Sequence, residues 1–314
     1  MDKNETESIE LQCIENRRNT PLKIKCKNRT GDLKEDILYN NLNFEELSIL
    51  RQHKEREKKS IRTVYKYREF IHKHEEMKDK QHFNDNLCNN NIRIEIFDWV
   101  VGLQEHFSFS DDTLHFCFYL LDSILIRREI AKDKHKLLGI ASILIAQKFE
   151  ENDWPSIDSM LNTLDKIEEV DFDRKSVVAM EKLILKDLNY NLDFQNPLYF
   201  LRSANRANNL NTEIRTLGKY FMELMIYENS FTRFSNKIKA ATALYTARKL
   251  LCKDTNKNLF LFYANVDLSD LRECFEILRE VIQEPCKYVN LRKKYTSIKT
   301  RGILKKIYKN NKFN

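Results

Sequence analysis

The chain has 314 residues, of which 42% are hydrophobic, enough to bury one large core or two ordinary ones. With five glycines and four prolines it lacks the turn residues that β-hairpins and phosphate-binding loops require, so the composition predicts an all-α protein and argues against most nucleotide-using enzymes. The net charge of +7 includes ten Lys and Arg in residues 287–314, which contain no acidic residue, so the remainder carries 7 − 10 = −3.

The cysteines and histidines form no recognisable site. The seven cysteines lie far apart without a CxxC pair, and the seven histidines show no metal-ligand spacing. The N-terminus lacks the apolar region of a signal peptide, and the longest apolar run is too short to cross a bilayer. We therefore expect a soluble intracellular protein with reduced thiols, no metal, no cofactor and no contact with membranes.

The N-terminal quarter is polar. Residues 1–42 show no apolar period, so we expect them to be disordered. Residues 43–80 favour a helix, in which Ile61, Val64 and Tyr67 mark a narrow apolar face. A helix with so narrow a face is expected to lie on another surface and not within a core.

A succession of helices follows, several of them with an evident capping residue. Ser110 or Asp111 can cap the second, Asp171 or Asp173 the fifth, and Asn196 precedes a proline that suits a first helical turn. The predicted helices are 92–107, 111–127, 133–150, 156–165, 173–188, 197–208, 212–227, 235–252 and 268–283.

Two of these helices repeat one another. Residues 135–149 align without gaps on residues 236–250, and both are rich in small and apolar side chains. A repeat at a spacing of about 100 residues indicates duplicated domains, each with its most apolar helix at the centre.

Two charges of opposite sign lie on apolar helix faces. Glu181 falls within the apolar stripe of the helix predicted at 173–188, and Lys148 extends the stripe of the helix at 133–150. Because an unpaired buried charge is very costly, the two are expected to lie near each other. The pattern alone favours a simpler alternative, a lysine that complements the helix dipole and reaches out to solvent, and a pair without functional consequence is a further one.

Arg93 and Asp122 pose the same question in the first two helices. Each lies near the apolar stripe of its helix, so a structural ion pair and two unrelated surface charges fit the pattern about equally well.

These residues, in this order, resemble the cyclins, in particular the mitotic A/B type. "IRIEIFDWVV" supplies Arg93, "LLDSIL" supplies Asp122, "KLLGIASILIAQKFEE" supplies Leu137 and Lys148, and "AMEKLILKDLNYNL" supplies Glu181. The likeness covers about residues 60–303. Its later segments are "NPLYFLRSANRA", "LGKYFMELMIYE", "IKAATALYTARKLL", "DLRECFEILREVI" and "LRKKYTSIKTRGI".

The resemblance implies two tandem five-helix cyclin folds, at 90–193 and 194–286, between the helical segment 43–80 and a basic tail at 287–314. It implies a regulatory subunit and not an enzyme. The expected partner is the catalytic subunit of a cyclin-dependent kinase, bound as a heterodimer and activated by holding its C helix in the active position, with kinase substrates as further partners. The expected role is control of the G2/M transition, in the nucleus and cytoplasm.

The resemblance also assigns roles to single residues. Lys148 and Glu181 are the polar anchors of the kinase, and Arg93 with Asp122 is a structural ion pair. The remaining kinase-binding residues expected from the family are Phe149, Glu150, Leu185, Tyr190, Val64 and Tyr67.

One family feature is altered. Mitotic cyclins carry a substrate-docking patch on the first helix, and its positions here are Ile92, Glu95, Ile96 and Trp99. Glu95 introduces a charge into an apolar pocket, and Gly102 replaces the acidic residue that usually follows. We expect poor recognition of ordinary Arg-x-Leu motifs.

Two other functions fit parts of the sequence. Tandem cyclin folds occur in a DNA-binding transcription-initiation factor, and the tail is basic, but a body charge near −3 argues against DNA binding. A cyclin of a transcriptional kinase is disfavoured by the mitotic-type second half.

Overall fold

The computed structural model describes residues 33–59, 68–79, 90–168, 172–251, 256–297, 300 and 302–305. Within these ranges the chain is helical and contains no strand, which confirms the all-α prediction. Three helices come first: α1 (Leu33–Asn40), α2 (Phe44–Lys59) and α3 (Arg68–Lys78).

Two groups of five helices follow, as the resemblance predicted. The first fold comprises α4 (Asn90–Phe107), α5 (Asp111–Arg127), α6 (His135–Glu150), α7 (Ile157–Glu168) and α8 (Arg174–Asp187). The second comprises α9 (Pro197–Ala204), α10 (Thr212–Tyr227), α11 (Asn236–Leu250), α12 (Lys257–Ala264) and α13 (Leu268–Val281), and α14 (Val289–Thr296) comes last.

Several helices begin where a capping residue places them. Ser110 caps α5 by accepting a hydrogen bond from Thr113 N at 3.2 Å. Asp173 caps α8, and Asn196 caps α9 directly before its proline. Asp171, the alternative cap for α8, lies outside the described residues.

In each fold one helix lies at the centre. Every residue of α6 from Leu137 to Gln147 is buried, so the helix is enclosed on all sides by its neighbours. Gly139 allows one of these close approaches, because a Cβ there would lie 2.8 Å from the Trp99 ring. In the second fold, Gly218 of α10 allows a similar approach to α11, because a Cβ at this position would lie 2.8 Å from a methyl group of Leu244.

The N-terminal region differs from expectation. Residues 1–42 were expected to be mostly disordered; residues 1–32 lie outside the described residues, but the structure places α1 at Leu33–Asn40 and buries Leu38 and Leu42. Packing on a distant part of the chain orders this polar segment. The helical segment expected at 43–80 contains two helices, α2 and α3. Val64 and Tyr67 lie outside the described residues.

Two helices of the C-terminal half were not predicted. One is α12, whose residue before the first turn, Asn256, is left-handed and forms no side-chain cap. The other is α14, which lies in the segment expected to be a basic tail. Leu291 and Tyr295 of α14 are buried, and Lys294 forms partly buried ion pairs, so this part of the basic segment belongs to the fold.

The two folds meet in a network of partly buried charges. Lys294 of α14 binds Asp111 of the first fold at 3.0 Å and Glu223 of the second at 2.7 Å, and Lys219 also binds Asp111. Burial opposes ionisation of Asp111, but Lys294 and Lys219 hold its pKa below the ordinary value. Burial raises the pKa of Glu223. The network makes α14 a link between the folds.

Carboxylates from the first part of the chain also cap helices of the last part. Asp79 accepts hydrogen bonds from the first two N–H groups of α11, at 2.8 and 2.9 Å. Asp98 of α4 accepts from Asn290 N and Leu291 N of α14, at 3.1 and 3.2 Å. Since these N–H groups have no partner within their own helices, the caps tie the residue after α3 to the second fold and tie α14 to the first fold.

Candidate functional site

The last turn of α6 and the middle of α8 bring two charges together at an edge of the first fold. Lys148 Nζ donates a hydrogen bond to Glu181 Oε1 at 2.5 Å. The Lys148 side chain is 40% exposed and that of Glu181 is 10% exposed. The simple expectation of a lysine that only reaches into solvent is therefore insufficient, because Glu181 holds its ammonium group at the surface.

The end of α6 is anchored to the start of α5. Glu151 accepts hydrogen bonds from Ser110 N at 2.8 Å and from the Thr113 hydroxyl. Burial alone would raise the pKa of Glu151, but these hydrogen bonds lower it below the ordinary value, so the carboxylate stays ionised as a cap. The last turn of α6, with Lys148, is fixed in position.

Exposed aromatic rings lie at the ends of the two helices that carry the ion pair. Phe149 is 56% exposed, and its ring lies against buried Phe116 with centroids 5.0 Å apart. Phe116 in turn stacks on Phe194 at 5.3 Å. A large exposed ring on a rigid aromatic base is typical of a contact surface.

Tyr190 is the second exposed ring, at 71% exposure. It follows α8, and its backbone is left-handed, with φ of 57° after Asn189 at 51°. Such values are uncommon for residues other than glycine and concentrate at functional positions. The half-buried Leu185 lies beneath this turn, since its carbonyl accepts the Tyr190 N–H at 2.8 Å.

Glu150 is oriented differently from the ion pair. The charged groups around it are Asp112 and Glu151, which are acidic, and Arg202 of α9. Burial and the two carboxylates raise its pKa. Glu150 therefore faces the junction of the folds, beside the ion pair of Asp112 with Arg202.

Helix α3 carries exposed apolar side chains that sequence reasoning missed. Phe70 and Met77 are 74% and 67% exposed, and Lys78 forms an ion pair with Asp193, shortly after Tyr190. The spacing of seven residues could have revealed the exposed stripe. Asp79, directly after α3, is the buried cap of α11.

The degenerate docking positions all lie on α4. Ile96 is buried, Ile92 and Trp99 are half-buried, and Glu95 is exposed. Lys136 Nζ lies 5.6 Å from the centre of the Trp99 ring.

The structure explains why position 102 is a glycine in this chain. A Cβ at this position would lie 2.9 Å from Asn290 Nδ2, so the side chain of Asn290 takes the space of the acidic residue expected from the family. Asn290 is held there by the Asp98 carbonyl, at 2.9 Å.

No group of His, Cys, Asp or Glu suited to a metal ion occurs in the described ranges. None of the helices described is long and apolar enough to cross a membrane.

Comparison with known proteins identifies the family. Residues 61–193 match the family described as cyclin, N-terminal domain, and residues 195–307 match cyclin, C-terminal domain. The chain belongs to the cyclin family, as the resemblance predicted. The first match begins before α3 and the second extends beyond α14, so both reach past the five-helix units.

The relatives are of the mitotic type. A G2/mitotic-specific cyclin-B of Emericella nidulans is 29% identical over 65% of this chain and 42% of its own length. The G2/mitotic-specific cyclin CLB2 of Candida albicans is 30% identical over 68% of this chain and 43% of its own length. The G2/mitotic-specific cyclin-B2 of Gallus gallus is 29% identical over 71% of this chain and 56% of its own length. The chain spans about half the length of these curated relatives.

A solved structure shows the same fold. A viral cyclin from herpesvirus saimiri superposes with a TM-score of 0.54 and 16% identity, over 65% of this chain and 88% of the viral one.

Proposed function

We propose that this cyclin is a non-catalytic regulatory subunit that binds and activates a cyclin-dependent protein kinase during mitosis. The observation that carries the proposal is the Lys148–Glu181 pair, which lies at the surface beside two exposed aromatic rings. The G2/mitotic-specific names of the relatives support the cell-cycle role.

The pair retains hydrogen-bonding capacity for a partner. Lys148 has three N–H donors and uses one on Glu181 within the described chain. Its remaining donors suit main-chain carbonyl groups, and the second oxygen of Glu181 suits a main-chain N–H. Because each charge already neutralises the other, the partner needs to supply only dipoles to complete the site.

The apolar part of the surface suits a helix of the kinase. Phe149 follows Lys148 in the last turn of α6, and Tyr190 follows the end of α8, where its N–H donates to the Leu185 carbonyl. An amphipathic helix that lays its apolar face on such a surface is a recurrent mode of recognition. Val64 and Tyr67 of the N-terminal region stay proposed as additional contacts, and Phe70 and Met77 join them. Glu150 stays proposed as a contact at the rim.

Activation follows from selective binding. A kinase positions ATP only when its β3 lysine pairs with the glutamate of the C helix. A subunit that binds the C helix in this inward position, and binds the outward position weakly, shifts the population toward the active state. The rigid support of Lys148 and Phe149 by α5 suits this role, because a flexible surface would adapt to both positions.

The test is reconstitution with a mitotic cyclin-dependent kinase. We expect a one-to-one complex with increased phosphorylation of a histone substrate. Replacing Lys148 and Glu181 together by alanine should abolish both results. Lys249→Ala is the matched control, because Lys249 aligns with Lys148 in the repeat but lies against Tyr245, 5.2 Å from the ring centre. Unchanged activation by the double variant would refute the proposed surface.

A further inference from the structure

Helix α12 depends on a cap from a distant part of the chain. Its own N-cap residue, Asn256, is left-handed with φ of 56° and makes no side-chain hydrogen bond to the helix. The N–H groups of Asn258 and Leu259 donate to Glu46 Oε1 instead, each at 3.1 Å. These are the groups that an ordinary N-cap side chain would bind.

The same carboxylate also caps its own helix. Glu46 Oε2 accepts from Asn43 N at 3.0 Å, and Asn43 Oδ1 accepts from Glu46 N at 2.9 Å, which together form a capping box at the start of α2. Glu46 is only 1% exposed. One buried side chain therefore joins the first turns of two helices.

Side chains of α1 and α2 complete the contact with the second fold. Tyr39 meets Phe262 of α12 edge to face, with ring centroids 6.0 Å apart. The His53 ring is hydrogen-bonded to the Tyr263 hydroxyl at 2.9 Å and to Asn209 at 3.1 Å. The apolar residues buried by the segment are Leu38, Leu42 and Leu50.

The contact is small for the length of chain that it orders. Beyond His53 the described side chains of α2 are mostly exposed, and on the outer side Ile37 and Phe44 are 54% and 87% exposed. By contrast, α11 is buried continuously from Ala240 to Arg248. Segments with few buried apolar side chains open at lower free energy than the core. The segment also lies outside the cyclin match, which begins at residue 61.

We infer that the second cyclin fold presents a helix-docking surface on α12, and that residues 33–59 occupy it as a ligand in cis that detaches while both five-helix folds stay folded. The surface suits an amphipathic helix with an acidic residue in its first turn, to cap α12, and a leucine one turn later. Glu46 and Leu50 provide this pair here. The inference is independent of the kinase-binding surface.

Hydrogen exchange of the full chain tests the detachment. We expect amides of residues 33–59 to exchange well ahead of those in α10 and α11. Glu46→Ala should accelerate exchange at Asn258 and Leu259 by about tenfold or more, because it removes charge-assisted hydrogen bonds. The matched control is Glu45→Ala, since the adjacent Glu45 is exposed. Exchange of residues 33–59 only together with α10 and α11, or loss of the whole fold in Glu46→Ala, would overturn the inference.

Binding in trans tests the docking surface. A labelled peptide of residues 33–59 should bind full-length Glu46→Ala protein, whose own segment competes poorly. The wild-type protein should bind it at least tenfold more weakly, because a tethered segment competes at high effective concentration. A peptide that itself carries Glu46→Ala should lose most of the affinity. Equal binding of the two peptides, or no binding to the variant, would contradict the assignment.

Discussion

Arg93–Asp122 and Lys148–Glu181 are ion pairs built from the same sequence feature, a charge on an apolar helix face, but their surroundings differ. Arg93 binds Asp122 through two hydrogen bonds, at 2.6 and 2.9 Å, and donates a third to the Ile226 carbonyl of the second fold. The side chains are 3% and 11% exposed. Lys148 makes one hydrogen bond to Glu181 and is 40% exposed.

The difference in exposure distinguishes a pair that is enclosed within the fold from a pair that a partner could reach. The Arg93 guanidinium is enclosed by partners in both folds, including the Phe97 ring 4.4 Å away, so it has little left to offer another protein. Lys148 stands at the surface and uses one of its three donors within the described residues. The surroundings of a charge on an apolar face, and not its sequence pattern, distinguish these two pairs.

The largest expected effect comes from breaking the buried pair. Asp122→Ala leaves Arg93 charged and buried, which costs about 3–5 kcal/mol of unfolding free energy. Urea denaturation monitored by circular dichroism measures the loss. The control is Asp158→Ala, which removes the partner of Arg174 from a pair with side chains 60% and 61% exposed. Its cost should be below about 1 kcal/mol. Equal losses of unfolding free energy in Asp122→Ala and Asp158→Ala would contradict the distinction between buried and exposed ion pairs.

A second expected effect on stability depends on pH and involves His115. Burial lowers the pKa of His115 to about 3, and its Nε2 has no hydrogen-bond partner among the described residues. The charged groups around it are Asp111, Lys294, Lys219 and Lys239.

Below the ordinary histidine pKa near 6.5, the unfolded chain binds a proton that folded His115 does not bind. Stability should therefore fall by about 1.4 kcal/mol for each pH unit as the pH drops from about 6.5 to 5. Denaturation at several pH values measures the slope, and His115→Phe should remove most of it. Replacing the exposed His106 by Phe should not. A slope that survives in His115→Phe would assign it to other groups.

A smaller effect on stability is expected at the Lys148–Glu181 pair. Lys148→Ala should lower the unfolding free energy by about 1–2 kcal/mol, less than Asp122→Ala, because Glu181 loses its partner but lies beside a lysine that is 40% exposed, where water can replace the ammonium group. Thermal and urea denaturation measure it beside Lys249→Ala. A loss as large as that of Asp122→Ala would make the Lys148 pair structural.

The sequence predicted the elements that local chemistry determines. The bounds of α5 were predicted as 111–127 because Ser110 supplies a standard cap and the apolar period is continuous. The proximity of Lys148 and Glu181 followed from the cost of burying either charge alone. The mitotic-type resemblance added the order of the five residues that the family shares.

Distant contacts determine what the sequence did not reveal. The cap of α12 comes from Glu46, more than 200 residues earlier, so no capping residue near Asn256 predicts the start of a helix. The basic residues around Lys294 suggested a tail because Asp111 and Glu223, which neutralise that lysine, lie far away in the chain. Order in α1 depends likewise on a surface of the second fold.

The most direct test of the account measures kinase affinity and stability on the same samples. Calorimetry with a mitotic cyclin-dependent kinase would compare the wild type, Lys148→Ala, Glu181→Ala and Lys249→Ala. The account predicts that Lys148→Ala binds about 30-fold or more weakly, as expected for a central interface residue, while it loses less stability than Asp122→Ala and Lys249→Ala binds normally. Normal affinity of Lys148→Ala, or equal loss in Lys249→Ala, would contradict it.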